Sequence, residues 1–170
     1  MRKGGGKQKG AQFEREVCVR LSKWISRGTQ EDIFWRSAMS GGRTTVAAKR
    51  GKRLSNQVGD ISCIHPIGNK FISTFAIECK YYADLDFKGL ITGKGKLLEF
   101  WEEIANQAIS HKKYPFLVAR QNRMPTLVCL SYNGMNHLNI GPSQTILISR
   151  PWDLYILKFD RFVQVCVPFV

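Results

Sequence analysis

The sequence is short of acid, has no long apolar run and has no paired cysteine motif. Only 13 of its 170 residues are Asp or Glu, against 26 Lys or Arg, which gives a formal net charge of +13. Such a surplus points to a polyanionic partner, either nucleic acid or an anionic membrane surface. No apolar run approaches the roughly 20 residues that cross a bilayer, so nucleic acid is favoured and no membrane partner is expected. The opening residues, Met1-Arg-Lys-Gly-Gly-Gly-Lys-Gln-Lys-Gly10, lack the apolar centre of an export signal, and a cytoplasmic location is expected. The five cysteines, Cys18, Cys63, Cys79, Cys129 and Cys166, are odd in number and contain no C-x-x-C pair, which suits reduced core thiols. Cys63 and His65 stand two apart with no second ligand pair at finger spacing, so they are read as packing and turn residues and not as zinc ligands.

What is present is a hydrophobic content of 44%, enough for a sizeable core in one domain spanning 1–170. The informative stretch is Val58-Gly-Asp-Ile-Ser-Cys-Ile64, followed by Phe75-Ala-Ile-Glu-Cys-Lys80. Side chains alternate along a strand, so Glu78 and Lys80 share one face while Ile77 and Cys79 share the other. Between the two segments, His65-Pro-Ile-Gly-Asn-Lys70 is rich in turn formers, and the expectation is that the strands fold back as neighbours and bring Asp60 near Glu78. Burying such charges without partners is costly. A hard divalent cation such as magnesium compensates paired carboxylates.

Upstream, residues 1–11 are basic and glycine-rich, the composition of a flexible arm. From about Gln12 the pattern is helical, with Phe13, Val17, Leu21 and Trp24 three and four apart. Glu14 falls on the inward stripe, whereas Glu16 aligns with Arg20, Lys23 and Arg27 outside; the alternative role for Glu14 is a carboxylate favourable to the helix dipole. A second helix is predicted over 96–110, with Leu97, Trp101, Ile104 and Ala108 on its stripe. Strands are predicted at 116–119 and 126–130, and residues 132–170 read as short strands that extend the sheet, including 162–167.

Gly59-Asp60 followed by Glu78-Cys79-Lys80 resembles the PD-(D/E)XK nuclease superfamily, whose core is an Asp on one strand and Glu-X-Lys on the next. Lys9-Gly-Ala-Gln-Phe-Glu-Arg-Glu-Val17, Phe34-Trp-Arg-Ser-Ala38, Gly59-Asp-Ile and Ala76-Ile-Glu-Cys-Lys80 resemble, in the same order, the motif series of archaeal-type Holliday junction resolvases over roughly residues 7–120. The resemblance implies an α/β restriction-endonuclease-like core, a central mixed β-sheet flanked by helices, here with extra C-terminal strands. It also implies a homodimeric, metal-dependent, structure-selective DNA endonuclease, viral or cellular, that cleaves branched four-way junctions. The catalytic set it implies is Glu14, Asp60, Glu78 and Lys80. Asp60, Glu78 and the backbone carbonyl of Cys79 would hold Mg2+, with Mn2+ as a substitute, Glu14 would hold a second ion or its waters, and Lys80 would face the attacking water.

By motif position, Lys9, Arg15, Arg36 and Ser37 are phosphate or sugar contacts. The sequence departs from the family in two places. Gly59 stands where the motif has Pro, and the stretch 40–57 is longer than the family loop and carries Arg43, Lys49, Arg50, Lys52 and Arg53, with no acid between Ser37 and Gly59. These five cations are expected to contact DNA. Such a protein would associate with the nucleoid, or act in the host cytoplasm if viral. Two other functions fit the same residues: another PD-(D/E)XK DNA nuclease (nicking, restriction-type or recombination), or a catalytically silent nucleic-acid-binding protein.

Overall fold

The computed structural model of the chain describes residues 5–37 and 58–168. The basic loop expected at 40–57, with Arg43, Lys49, Arg50, Lys52 and Arg53, lies outside the described residues.

Helix α1 (Gly5–Ile25) carries Phe13, Val17, Cys18, Leu21, Trp24 and Ile25 in its buried stripe, as the spacing predicts. It ends in a left-handed turn at Arg27 and Gly28, where the Gly28 N–H donates to Lys23 O at 2.7 Å. Its start corrects the expectation of a flexible arm through residue 11, because the helix already runs at Gly5. Lys9, in its second turn, donates to Asn122 Oδ1 at 2.7 Å and lies 3.6 Å from the centre of the Tyr81 ring. These tertiary contacts, along with those of Phe13, offset the poor helix propensity of glycine at positions 5, 6 and 10.

Strands β1 (Phe34–Arg36) and β2 (Ile61–Cys63) form a two-stranded antiparallel ribbon with Trp35 opposite Ser62. One hydroxyl ties this ribbon to the helix. Ser22 Oγ, fully buried, donates to Cys18 O at 2.8 Å and accepts the N–H groups of Ile33 and Phe34 at 3.1 and 2.9 Å. A 3-10 turn over Pro66–Gly68, capped by His65 Nδ1, and helix α2 (Asn69–Thr74) then lead into β3 (Phe75–Tyr82).

β3 takes one edge of a five-stranded mixed sheet in the order β3, β4 (Tyr114–Gln121), β5 (Leu127–Leu130), β7 (Leu154–Lys158), β6 (Leu147–Ser149). β3 and β4 run parallel, which requires a crossover. The short α3 (Gly89–Thr92) and the amphipathic α4 (Lys96–Ser110) provide it, the latter with the predicted bounds. The other pairs are antiparallel. Alternate residues of the central strands serve two cores. Ile77, Phe116, Val118 and Val128 face α1, while Ala76, Leu117, Ala119 and Cys129 face α4. Burial on both faces explains the unbroken apolar runs at 116–119 and 127–130.

Three sequence expectations are corrected here. β2 and β3 are not hairpin partners: β2 pairs with β1, and the segment that the turn residues suggested as a hairpin loop folds into the 3-10 turn and α2 instead. Local turn chemistry was present, but the long-range pairing of β3 with β4 decided the sheet. Residues 162–167 are not a strand either. Helix α6 (Phe159–Val165) occupies most of that stretch, because Phe159, Phe162 and Cys166 recur at helical spacing against α1, where the Trp24 indole N–H donates to Cys166 O at 2.8 Å. A six-residue helix, α5 (Tyr132–His137), capped by Ser131, also stands where strands were expected. The strands that do form there, β6 and β7, extend the sheet, and β7 lies within it.

Replacing Ser22 by Ala leaves two buried backbone donors without their acceptor, a loss of about 1–3 kcal/mol for each. We expect a correspondingly lower urea midpoint at unchanged m-value, and an unchanged midpoint would show that the clamp contributes nothing.

Candidate active site

The free edge of β3 is where the ionisable residues meet. On that edge Gly59 makes a single parallel bridge to Ile77, the Asp60 N–H donates to Ile77 O at 2.7 Å, and Asp60 Oδ2 accepts the Cys79 N–H at 2.9 Å. Gly59 has φ +89, and a Cβ there would stand 2.1 Å from Ile77 O. Only glycine allows that approach, and proline, locked near φ −65°, could not take this conformation. The departure from the family's Pro thus has a backbone reason.

Side-chain alternation then sets the rest. Glu78 and Lys80 share the β3 face that looks towards α4, and Lys80 Nζ lies 2.7 Å from Glu78 Oε1 and 5.0 Å from the centre of the Phe100 ring. Glu14, from the inward stripe of α1, reaches the site from the other side and is paired with Arg36 Nε at 2.5 Å. Ser37 is buried, and its N–H donates to Asp60 O at 2.7 Å, so it positions the backbone of the motif Asp. Arg15 is exposed on α1 and borders a cavity beside Arg36. Lys9 sits apart, at the end of β3 and β4, with Tyr81 and Asn122.

Asp60, Glu78, Lys80 and Glu14 therefore converge. Burial pushes the Asp60 carboxyl up to about 7, helped by the charges of Glu78 and Glu14 and opposed by the Cys79 N–H and Lys80. Burial also raises Glu78, with Lys80 opposing and Glu103 and Glu14 adding to the rise. For Lys80, burial favours the neutral form, but Glu78, Glu103 and Asp60 outweigh it and hold the ammonium protonated. Burial and neighbouring carboxylates push the Cys79 thiol well up and Cys18 to about 12, so neither is a nucleophile at this site.

Sequence reasoning missed Glu103. It lies outside the apolar stripe of α4 and is exposed, yet α4 packs on the face bearing Glu78 and Lys80, and its charge acts on both. It also missed the partner of Glu16, which makes a two-pronged ion pair with Arg120 on β4 that holds its carboxyl below the ordinary value. Neither contact has a local sequence signal, because each depends on which helix face meets which strand.

The donor set fits a hard divalent cation. Two mutually repelling carboxylates and the Cys79 carbonyl, which in a strand shares an edge with the Cys79 N–H, offer oxygen only. Among the described residues no group of three His, Cys, Asp or Glu side chains is disposed to hold a metal ion. Two carboxylates with water making up the shell is the arrangement that suits magnesium.

The family model described as "Phage putative PDDEXK endonuclease" matches residues 5–165. The chain belongs to this family. Its activity class is accordingly that of a nuclease. No curated protein matches the chain significantly. Among solved structures, it is similar to the Holliday junction resolvase Hjc of Archaeoglobus fulgidus, an archaeal hyperthermophile, with 14% identity over 91% of this chain and 87% of that one. The TM-score is 0.35. No helix among the described residues is long and apolar enough to cross a membrane.

Two predictions follow from the site. Gly59→Ala forces β3 and the Asp60 segment apart, so we expect lower thermal stability together with loss of cleavage, and retention of both would contradict the close approach. The second concerns pH. As pH rises from the ordinary aspartate value of 3.8 towards about 7, the unfolded chain gives up a proton that folded Asp60 keeps. Metal-free stability therefore falls across that window and is level above it. Added Mg2+ should raise Tm more at about pH 8 than at about pH 5, and Asp60→Asn should remove that difference; an equal gain at both values would separate the site from the cation.

Proposed function

We propose that the protein is a Mg2+-dependent DNA endonuclease that selects branched DNA, four-way junctions foremost, and acts as a homodimer. The observation that supports it most is the convergence of Asp60, Glu78 and Lys80 on the free edge of β3, with the Asp60 carboxyl oriented by the Cys79 N–H. The formal net charge of +13 suits a polyanionic substrate. The ordered motif series from Lys9 to Lys80 supports the junction preference and the dimer.

In this reading Asp60, Glu78 and the Cys79 carbonyl would hold the cation, with Mn2+ able to substitute for Mg2+, and the chemistry it would supply there is charge neutralisation on the scissile phosphate and a lowered pKa for water. Lys80 remains protonated, so it serves as a donor that orients the attacking water and not as a general base. Its ammonium lies 5.0 Å from the centre of the Phe100 ring, a cation–π contact that limits the directions it can take. The water oxygen joins phosphorus and releases one proton to solvent, the bond between phosphorus and the leaving oxygen breaks, and that oxygen takes a proton from solvent water. Arg36 holds Glu14 at the rim, where the pair keeps a carboxylate near the reacting centre without leaving its charge unbalanced. Lys9, Arg15 and Arg36, with Arg43, Lys49, Arg50, Lys52 and Arg53, are proposed as the contacts to the DNA backbone, whereas Ser37, being buried, acts through Asp60 instead.

The decisive assay compares four-way junction, duplex, flap and single strand, each with and without Mg2+. Asp60→Asn and Glu78→Gln should each lower cleavage by at least about a hundredfold (nearly 3 kcal/mol of barrier) while binding persists, because affinity comes from Lys and Arg elsewhere. A variant that cuts at the wild-type rate would sink the assignment, and equal cleavage of all four substrates would remove the junction preference.

A further inference from the structure

Strand β1 presents its three residues in three ways. Phe34 is in the core at 2% exposure, Arg36 turns to Glu14, and Trp35 stands out at 57% exposure. Trp24 and Trp101, by contrast, are buried and donate their indole N–H groups to Cys166 O and Trp152 O. An indole left in water gives up the burial that makes tryptophan favourable in a core.

Beside Trp35 lies a cavity of about 350 Å³ between α1 and β1, lined by Phe34, Trp35, Arg15, Arg36, Glu31 and Asp32 among others. Its volume is that of a small-ligand site (roughly 300–1,000 Å³). Its walls combine three chemistries. Aromatic rings suit the π-face of a base, guanidinium groups suit a phosphate, and carboxylates accept hydrogen bonds from exocyclic amines, as Glu and Asp do from cytosine N4. Arg36 also joins the cavity to the active site, since it is the ion-pair partner of Glu14 at 2.5 Å.

We propose that this cavity is a subsite for one unpaired nucleobase of the DNA substrate, with the Trp35 indole as its stacking platform, Arg15 on the adjoining phosphate and Asp32 or Glu31 on the base edge. The inference rests on the nuclease reading above and adds to it the source of selectivity. A base inside a duplex is already stacked and paired and shows neither its face nor its pairing edge. An unpaired base, as at a branch or a distortion, costs the least to move into a pocket. Selection of branched over regular DNA would then come from stacking at Trp35, and the basic surface would supply affinity without discrimination.

The test uses the full chain in EDTA, titrated with a duplex carrying one unpaired 2-aminopurine and with the same duplex fully paired. Wild-type protein should prefer the unpaired probe by about 5- to 100-fold, the range that stacking of one base provides, and should quench its fluorescence. Trp35→Ala should lose both the preference and the quenching, while Trp35→Phe keeps most of the preference. Equal weakening of both duplexes in Trp35→Ala, or undiminished quenching, would overturn the subsite. So would a change in the sedimentation of the DNA-free protein on Trp35→Ala, which would make the indole a contact between copies of the chain. Wild-type protein that binds both probes equally and cleaves with Mg2+ overturns the subsite alone; failure to bind either or to cleave overturns the nuclease reading instead.

Discussion

The structure turns on one edge of one strand. Among the described residues β3 has a strand partner on only one side, and an open edge is normally a hazard that proteins cover or charge. Here the Gly59-Asp60 segment covers it with a bridge to Ile77 and a carboxylate on the Cys79 N–H. The same contact that closes the edge aims Asp60 at the residue between Glu78 and Lys80. Fold and site are thus one arrangement, because a residue with a Cβ at position 59 would open the edge and misplace the carboxylate together. Ser22 and Ser37 extend the constraint outward, the first tying β1 to α1 and the second tying the end of β1 to Asp60. By these links Glu14 on α1 and Arg36 on β1 reach the site that β3 defines.

Much of this was legible in the sequence where periodicity and burial agree. The phase of α1 separated Glu14 from Glu16, and the stripe of α4 gave its bounds, because a helix repeats its pattern often enough for the eye to find it. β4 and β5 were legible as apolar runs bounded by turn residues. Three-residue strands carry too little pattern, so the pairing of β1 with β2 had no signal, and the turn residues at 65–70 suggested a hairpin that long-range pairing overrode. The β-branched run at 162–167 likewise read as alternating, although burial there follows Phe159, Phe162 and Cys166. Glu103, Arg120 and Trp35 were illegible for one reason: their significance lies in what faces them across the fold.

The electrostatics carry a tension. The chain has only 13 acids, yet Glu14, Asp60, Glu78 and Glu103 act on one another at a single place. Buried carboxylates that repel are destabilising unless something positive stands among them. Lys80 and Arg36 each meet one carboxylate, and Asp60 is left with a backbone N–H. The strain is concentrated on the residue that the motif requires, as expected where local stability is given up for function.

A carboxyl raised to about 7 also resolves a difficulty of approach. A nuclease site must hold acid to bind its cation, and that acid repels the phosphate it is meant to cut. The raised carboxyl holds its proton to higher pH than an ordinary aspartate, so before a cation arrives the proton itself holds down the negative charge next to Glu78. Binding of a divalent cation would displace that proton and leave the local charge more positive than before. The site then presents two bare carboxylates to DNA less often than a pair with ordinary acidities would. The high pKa of Asp60 follows from burial against β3, and burial against β3 follows from Gly59, so the backbone conformation of one glycine governs the charge that the substrate meets.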